Sequence, residues 1–428
     1  MNKRTAISLL QNAAIVLLSI TAVFLLLRVI SYETGSTVSI SRLLGEDSSE
    51  NREIAYSTDL SAMDAPCNVV ITGTYGRSSM LLGDALQAKD EILLGLLQEA
   101  LGSAVLTGPI EESRLRDALS CPGFYLDYLI PTHAGIVAGR LGTSFSQEIT
   151  IRRILLTDEG FDTVILYLWD GEGAPLRYQT AASSAALTEA ITTYTADDTF
   201  FAFEGGEEYA HLDPYTLLRR SNVSPPLLSA AIPPLASDSE KLLSLLDFNV
   251  HTESRYQLSN GTEVIVESPR SLRIRPDGTI EYSGDEHTAS PLFQVYSASA
   301  APTAAEAVLA AWNLTEALFS GTDFSSTTLY LTHIEKTADG YTMKFDYLVG
   351  GLPVYFSDES SAMTVTVRNA AITNFTLRLR QYTVSEETYT LLPIRQAAAI
   401  AAGYTTPYLT VGYADNGGAA LHPGWLAR

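Results

Sequence analysis

The chain has 428 residues, of which 46% are hydrophobic, which is enough for several packed domains and too apolar for a disordered chain. Its 27 basic and 49 acidic residues give a formal net charge of −22, and a field of this sign repels the phosphate backbone of nucleic acids. Nucleic acid is therefore excluded as an expected partner.

The first predicted element is an apolar segment, residues 5–27, whose 23 residues carry no charge. This length fits a helix that spans a membrane. A secretory signal peptide is the alternative, but no convincing A-x-A cleavage site follows the segment. Lys3 and Arg4 precede it, so the positive-inside rule places the N-terminus in the cytoplasm and the body outside the cell membrane. We therefore predict that residues 1–30 are a cytoplasmic tip and a single transmembrane anchor.

One face of this predicted helix carries mostly small and polar side chains, which recur at spacings of three and four residues. Such stripes let membrane helices approach closely and hydrogen-bond to one another, and a buried amide in lipid needs a partner. The alternative is that Ser, Thr and Ala are merely tolerated there. The predicted partner-binding face consists of Thr5, Ser8, Asn12, Ile15, Ser19 and Ala22.

Residues 31–64 are rich in Ser, Glu, Asp and Thr and lack periodicity, which predicts a tether. Strand-like and helix-like patterns alternate through residues 65–235, which predicts an N-terminal α+β domain. The proline pairs near its end, in residues 223–235, indicate a domain boundary or an edge-packing segment and not a central strand. The predicted elements are strands at 68–74, 144–158 and from 163, and helices at 82–101, 113–120 and 184–194.

After this boundary, a strand-rich stretch followed by a helix occurs twice, with the helices at 304–319 and 394–404. The repeat predicts two further α+β domains, residues 236–320 and 321–428, in which antiparallel sheets pack against helices. Gly350 is predicted to begin the turn of a hairpin between two alternating segments.

The stretch from 260 to 284 is dense in turn residues. Asn260-Gly261 and Pro276-Asp277-Gly278 predict two tight turns, and the segments between them alternate like strands. We therefore predict a meander. Its arginines suggest an anion site at first, but alternate positions on strands favour the solvent face for Arg270, Arg273 and Arg275.

No catalytic, cofactor-binding or metal site is predicted, and we do not expect an enzyme. Nucleophile-elbow, phosphate-loop and dinucleotide-binding motifs are absent from the sequence. Cys67 and Cys121 are compatible either with a disulfide or with two buried thiols. The six histidines lack metal-ligand spacing and are interpreted as scattered surface residues: His133, His211, His251, His287, His333 and His422.

Three blocks in the C-terminal half combine strand patterns with turn residues. They are residues 248–284, which contain RYQLSNGTEVIVESPRSLRIRPDGTIEYSG, residues 372–383, ITNFTLRLRQYT, and residues 421–425, LHPGW. These blocks resemble the YycH family of Gram-positive bacteria, and the last two are also similar to its relative YycI. The resemblance implies a membrane-anchored accessory protein that regulates the WalK sensor histidine kinase, which controls cell-wall metabolism. It also implies contact through membrane helices and extracytoplasmic domains, a YycI-like protein as a further partner, and no catalytic residues.

We therefore expect an extracytoplasmic regulator of a two-component sensor kinase, held in the cell membrane by a single span. The alternative is a binding module for cell-wall polymer or a small ligand. A wall hydrolase is a third class, and it would need a cleft with convergent carboxylates or a metal. The sequence leaves open whether the kinase is restrained or promoted. Family members are expected to continue beyond the Pro-x-Trp motif, so the completeness of the C-terminal domain is also left open.

Overall fold

The computed structural model describes residues 65, 67–80, 91–233, 238–252, 254–287, 290–297, 301–319 and 327–427. The predicted anchor and tether lie outside these ranges, as do residues 82–90 of the predicted helix at 82–101. Within the ranges, no helix is long and apolar enough to cross a membrane. The described chain is α+β, with largely antiparallel sheets packed against helices, which confirms the fold class predicted for the body.

The first sheet is apolar on both faces, because successive residues of a strand point to opposite sides. Val69 and Ile71 face one core, and Val70 faces another. The seven strands of this sheet are β1 (Asn68–Gly73), β2 (Gly76–Met80), β3 (Val105–Pro109), β4 (Gly123–His133), β5 (Thr150–Thr157), β6 (Thr163–Trp169) and β7 (Leu176–Ser183). Their order is β2-β1-β4-β5-β6-β7-β3, and every pair is antiparallel.

Helices cover both faces of this sheet. They are α1 (Glu91–Ser103), α2 (Glu112–Leu119), α3 (Ala134–Arg140) and α4 (Ser184–Ile191). Leucines and alanines of α1, α3 and α4 share one core with Ile71, whereas Leu115 of α2 packs on the other face. The Ser183 side chain accepts a hydrogen bond from the Ala186 amide and so caps the start of α4. Helices α2 and α4 confirm the predictions at 113–120 and 184–194.

The second sheet has eleven strands. The remaining strands of the chain are β8 (Thr199–Phe201), β9 (Leu217–Arg219), β10 (Pro226–Ala231), β11 (Arg255–Gln257), β12 (Glu263–Glu267), β13 (Arg270–Ile274), β14 (Thr279–Ser283), β15 (Thr327–Lys336), β16 (Gly340–Val349), β17 (Leu352–Phe356), β18 (Met363–Arg368), β19 (Ala371–Arg378), β20 (Gln381–Thr388), β21 (Leu409–Asp415), β22 (Ala420–Leu421) and β23 (Pro423–Ala427). The second sheet runs β11-β12-β13-β14-β19-β18-β16-β17-β21-β23, with β15 also paired to β16. Its pairs are antiparallel except for β17 with β21.

Strands from the predicted middle and C-terminal domains belong to this one sheet, because β14 pairs with β19. Its core is built by α5 (Ser239–Leu245), α6 (Ala304–Phe319) and a stack of aromatic rings. The ring centroids of Tyr282 and Phe293 are 4.2 Å apart, and those of Tyr282 and Phe375 are 5.4 Å apart. The prediction of a helix at 304–319 is confirmed by α6.

The proline-rich segment 223–235 was predicted to exclude a central strand, and that prediction is wrong. Strand β10 lies between β20 and β22 in a three-stranded sheet. One proline pair opens this strand and the other follows it, so the amides in between can still donate. The Ala230 amide, for example, donates to the Ala419 carbonyl at 2.8 Å.

The last described helix, α7 (Ile394–Ala401), confirms the helix predicted at 394–404. It connects the C-terminal strands to the segment between the two sheets. Its buried side, which includes Ile394 and Ala398, packs against Phe200 and Leu218 of the segment between the sheets. All described residues belong to one compact unit.

The predicted meander is confirmed in β12, β13 and β14. Arg273 and Arg275 are exposed, as predicted, and both pair with Glu281. Arg270 is half-buried instead, because it bonds Glu267 at 2.7 Å and the Asp247 carbonyl. None of the three is therefore an uncommitted cation.

Candidate functional site

The residues predicted to form a partner-binding face lie outside the described part of the chain. Their grouping on one helix face stays a prediction. The residues concerned are Thr5, Ser8, Asn12, Ile15, Ser19 and Ala22.

Within the described ranges, no group of three or more His, Cys, Asp or Glu side chains could hold a metal ion. Four histidines are exposed, whereas His133 and His211 are half-buried, and His211 Nε2 lies 2.7 Å from the Ala398 carbonyl oxygen. Cys67 and Cys121 are free thiols. Burial raises the pKa of both, and more strongly for Cys67, which is 1% exposed.

One group of ionisable side chains is buried between the first sheet and the chain that leads into β21. We call it the Asp127 cluster: Asp127, Arg152, Arg153, Asp213 and Tyr408. Arg152 and Arg153 of β5 each donate to one oxygen of the Asp127 carboxylate, both at 3.0 Å. Arg153 also bonds Asp213 at 2.9 Å. Both carboxylate oxygens of Asp127 thus have donors, which a buried charge requires.

The electrostatics of this cluster favour its charged state. Burial alone would raise the pKa of Asp127, but the Arg152 and Arg153 guanidinium groups outweigh it and lower that pKa. Burial opposes the charge of Arg153 as well, and the Asp127 carboxylate nevertheless raises the pKa of Arg153. Burial raises the pKa of Tyr408, so its phenol stays protonated.

The Asp127 cluster connects two distant parts of the chain and is closed to substrates. The Arg152 guanidinium carbon lies 4.2 Å from the centroid of the Tyr408 ring, and Asn68 Nδ2 donates to the Tyr408 hydroxyl at 3.2 Å. Asp127 and Arg153 are 0% and 1% exposed. Their charges neutralise each other out of reach of solvent, so the cluster is structural and cannot act as a general acid or base on a bound substrate.

A second buried ion pair ties β21 to the turn between β19 and β20. Arg380 donates to both oxygens of Asp415, at 2.9 and 3.2 Å, and the Tyr382 hydroxyl donates to the same carboxylate at 2.8 Å. Burial raises the pKa of Tyr382, which keeps that proton in place. Arg380 also bonds the Gly418 carbonyl, so this pair fixes the loop that follows β21.

An apolar groove of about 350 Å³ beside α7 offers accessible binding surface. We call it the α7 groove. Strands β21 and β23 contribute Leu409 and Trp425, and α7 with the turn after it contributes Ile400 and Tyr404. Tyr389 and its neighbours, which lead into α7, complete the lining.

The sequence of α7, IRQAAAIA, explains why the groove is open. A buried stripe at helical spacing is formed by Ile394, Ala397, Ala398 and Ala401, and Ile400 lies outside that stripe. Ile400 is therefore 66% exposed, and Tyr404 in the following turn is 62% exposed. Across the groove, Tyr389 and Leu392 are 47% and 51% exposed. Several large apolar side chains thus meet solvent at one place.

The chemistry of the α7 groove suits binding and not proton transfer. None of its lining residues carries a charge. The indole nitrogen of Trp425 donates to the Leu392 carbonyl at 2.9 Å. Contiguous exposed apolar surface on a soluble body marks a site of interaction with protein, membrane or ligand.

Neither the Asp127 cluster nor the α7 groove was identified from the sequence. The members of the Asp127 cluster are distant along the chain, and the one local signal is the pair Arg152-Arg153 inside an otherwise apolar strand. For the α7 groove the signal is Ile400, which falls off the buried stripe of its helix. Comparisons of the chain with known protein families, curated proteins and solved structures found no match.

Proposed function

We propose that this protein is a membrane-anchored regulator of a WalK-type sensor histidine kinase that controls cell-wall metabolism. In this proposal the N-terminus is cytoplasmic, residues 5–27 cross the cell membrane once, and the body is extracytoplasmic. The resemblance of residues 248–284, 372–383 and 421–425 to the YycH family supports it, and so does the charge pattern around the apolar segment. A YycI-like protein is a proposed second partner. The protein acts by contact and catalyses no reaction.

The observation that carries this proposal is the α7 groove. A regulator of this kind needs a surface that the kinase binds more tightly in one signalling state than in the other. A difference of about 1–3 kcal/mol is enough to couple the two equilibria. The exposed side chains of Ile400, Tyr404 and Leu392 offer such a surface without any catalytic group.

The test is co-purification of the full chain with the sensor kinase from membranes. Ile400→Glu places a charge in the groove and is expected to reduce the recovered kinase at least fivefold. Ile92→Glu is the matched control, because Ile92 also lies on a helix and is 65% exposed against 66% for Ile400. Equal recovery with both variants would contradict a role for the groove.

The membrane contact is a second arm of the same experiment. Asn12→Leu combined with Ser19→Leu removes two polar members of the predicted stripe and is expected to weaken recovery of the kinase. Target-gene output in cells is the accompanying readout. If association and output are both unchanged, the stripe has no part in the contact.

A second candidate is an extracytoplasmic binding module for cell-wall polymer or a small ligand. It is favoured by the aromatic side chains of Tyr389, Tyr404 and Trp425 around the α7 groove. The groove's volume of about 350 Å³ lies within the usual range for small-ligand sites. Saturable binding of the full chain to purified wall, lost in Tyr404→Ala, would favour this function over the first.

A further inference from the structure

The edge strands of the two sheets differ in how they are protected against further pairing. At β2, the Asp197 carboxylate accepts from the Ser79 amide at 3.1 Å and the Asp197 amide donates to the Arg77 carbonyl. At β3, a register shift before Gly108 interrupts the strand, and Pro109 removes a donor. Such devices keep sheet edges from accepting additional strands.

Strand β23 has a proline only at its first position, Pro423, and its pairing with β21 shows no register shift. It pairs with β21 on one side, and no described residue pairs with its other side. Its sequence, PGWLA, contains no charged residue. The amide and carbonyl groups on the unpaired side of Gly424–Ala427 are therefore available to another chain.

Strand β23 also lines the α7 groove. Pro423, Gly424, Trp425 and Ala427 all line the groove. A Cβ built on Gly424 would meet no atom within 4 Å, so the sheet face opposite the Trp425 side chain is open at this position. Strand β23 thus supplies both an edge without a described partner and part of the groove lining.

We propose that the α7 groove binds an extended segment of a partner protein by strand addition to β23. The backbone of the segment pairs with the open edge, and every second side chain enters the groove near Ile400 and Trp425. This inference rests on the proposed function and adds the mode of docking. A helix would not suit the site as well, because its own backbone bonds would leave the β23 edge unpaired.

Charge limits the identity of the segment. No lining residue of the groove is charged, so the central side chains of the segment are apolar. The chain as a whole carries −22, and Glu386 and Glu387 are exposed shortly before Tyr389. Basic residues at the ends of the segment would therefore be attracted. The partner is a protein strand with apolar residues at alternate positions and basic flanks.

The experiment uses the full chain in lipid nanodiscs and a fluorescein-labelled peptide that alternates valine with threonine between lysine pairs. A twin peptide carries N-methyl groups on the amides of one edge of the strand, and a second twin carries them on the other edge. Strand addition predicts that one of the twins binds about tenfold or more weakly than the parent, because it loses more than one backbone hydrogen bond. The amides of residues 424–427 are expected to exchange hydrogen more slowly when the parent peptide is bound.

The outcomes separate this inference from the proposed function. Equal affinity of parent and both twins, or no binding of the parent, overturns strand addition, and kinase recovery in the Ile400→Glu experiment still decides the function. Slow exchange of those amides of residues 424–427 that face away from β21, in nanodiscs without peptide, would assign the edge to a lipid surface and also overturn the inference. Loss of peptide binding in Ile400→Glu, with binding kept in Ile92→Glu, supports docking in the groove.

Discussion

Asp127 keeps an ionised carboxylate where it has no exposed surface. Four donors make this possible: the guanidinium groups of Arg152 and Arg153, the amide of Leu129 at 2.8 Å and the Tyr125 hydroxyl at 3.4 Å. Removing one partner of such a pair is costly, because the remaining charge stays buried without compensation. The stability of the cluster should therefore depend on the protonation state of this one carboxyl.

The first prediction concerns pH. The pKa of Asp127 is lowered in the folded state from its ordinary 3.8, so its contribution is present above pH 3.8 and is lost as pH falls through the lower, folded value. Asp127→Asn should reduce the free energy of unfolding by about 3–5 kcal/mol at neutral pH. The difference from the unmodified protein should shrink below pH 3.8. Denaturant unfolding of both proteins across this range measures it.

The control for this prediction is Asp358→Asn. The pKa of Asp358 is also lowered, by hydrogen bonds from Ser360 and by Arg378, but its side chain is 60% exposed. Solvent screens such a pair, so its removal should change stability little at any pH. A pH-independent loss of stability in Asp127→Asn would mean that shape, and not charge, makes Asp127 necessary.

At the scale of elements, helices and strands with an uninterrupted hydrophobic period could be predicted from the sequence. Elements whose period is interrupted could not. The alanine and leucine spacing of α6 gave its bounds, 304–319, without error. Strand β4 was missed, because Asp127 and Pro131 break its alternation and its pairing to β5 shifts register after Asp127. Strand β10 was misjudged, because its prolines flank the strand and do not interrupt it. Both β4 and β10 form because they pair with strands that are distant in sequence.

The second prediction tests the central position of β10. Leu228 is 2% exposed and faces the large core, and its backbone lies between β20 and β22. Leu228→Ala should lower the free energy of unfolding by about 2–5 kcal/mol, because the side chain leaves a cavity. Leu227→Ala is the matched control, since its half-buried side chain should cost less. Equal losses in the two variants would show that Leu228 is not buried in the large core.

At the scale of the molecule, the first sheet and the C-terminal strands are held together by several separate contacts. The Asp127 cluster holds Tyr408, the Asp213 amide donates to the Pro407 carbonyl at 3.0 Å, and α7 packs on the segment between the sheets. None of these contacts could be predicted, because each joins residues far apart in sequence. They tie the C-terminal residues that build the α7 groove to the first sheet.

The third prediction is that Tyr408 couples the unfolding of the first sheet to the unfolding of the C-terminal strands. Tyr408→Ala removes a ring packed on Arg152 and should lower the free energy of unfolding by about 3–5 kcal/mol. Tyr408→Phe keeps the ring and loses the bond from Asn68, for which about 1 kcal/mol is expected. Hydrogen exchange in full chains should show β5 and β21 losing protection together in Tyr408→Ala. If only β21 loses protection, the two sheets open independently, and the groove could move relative to the first sheet when a partner binds.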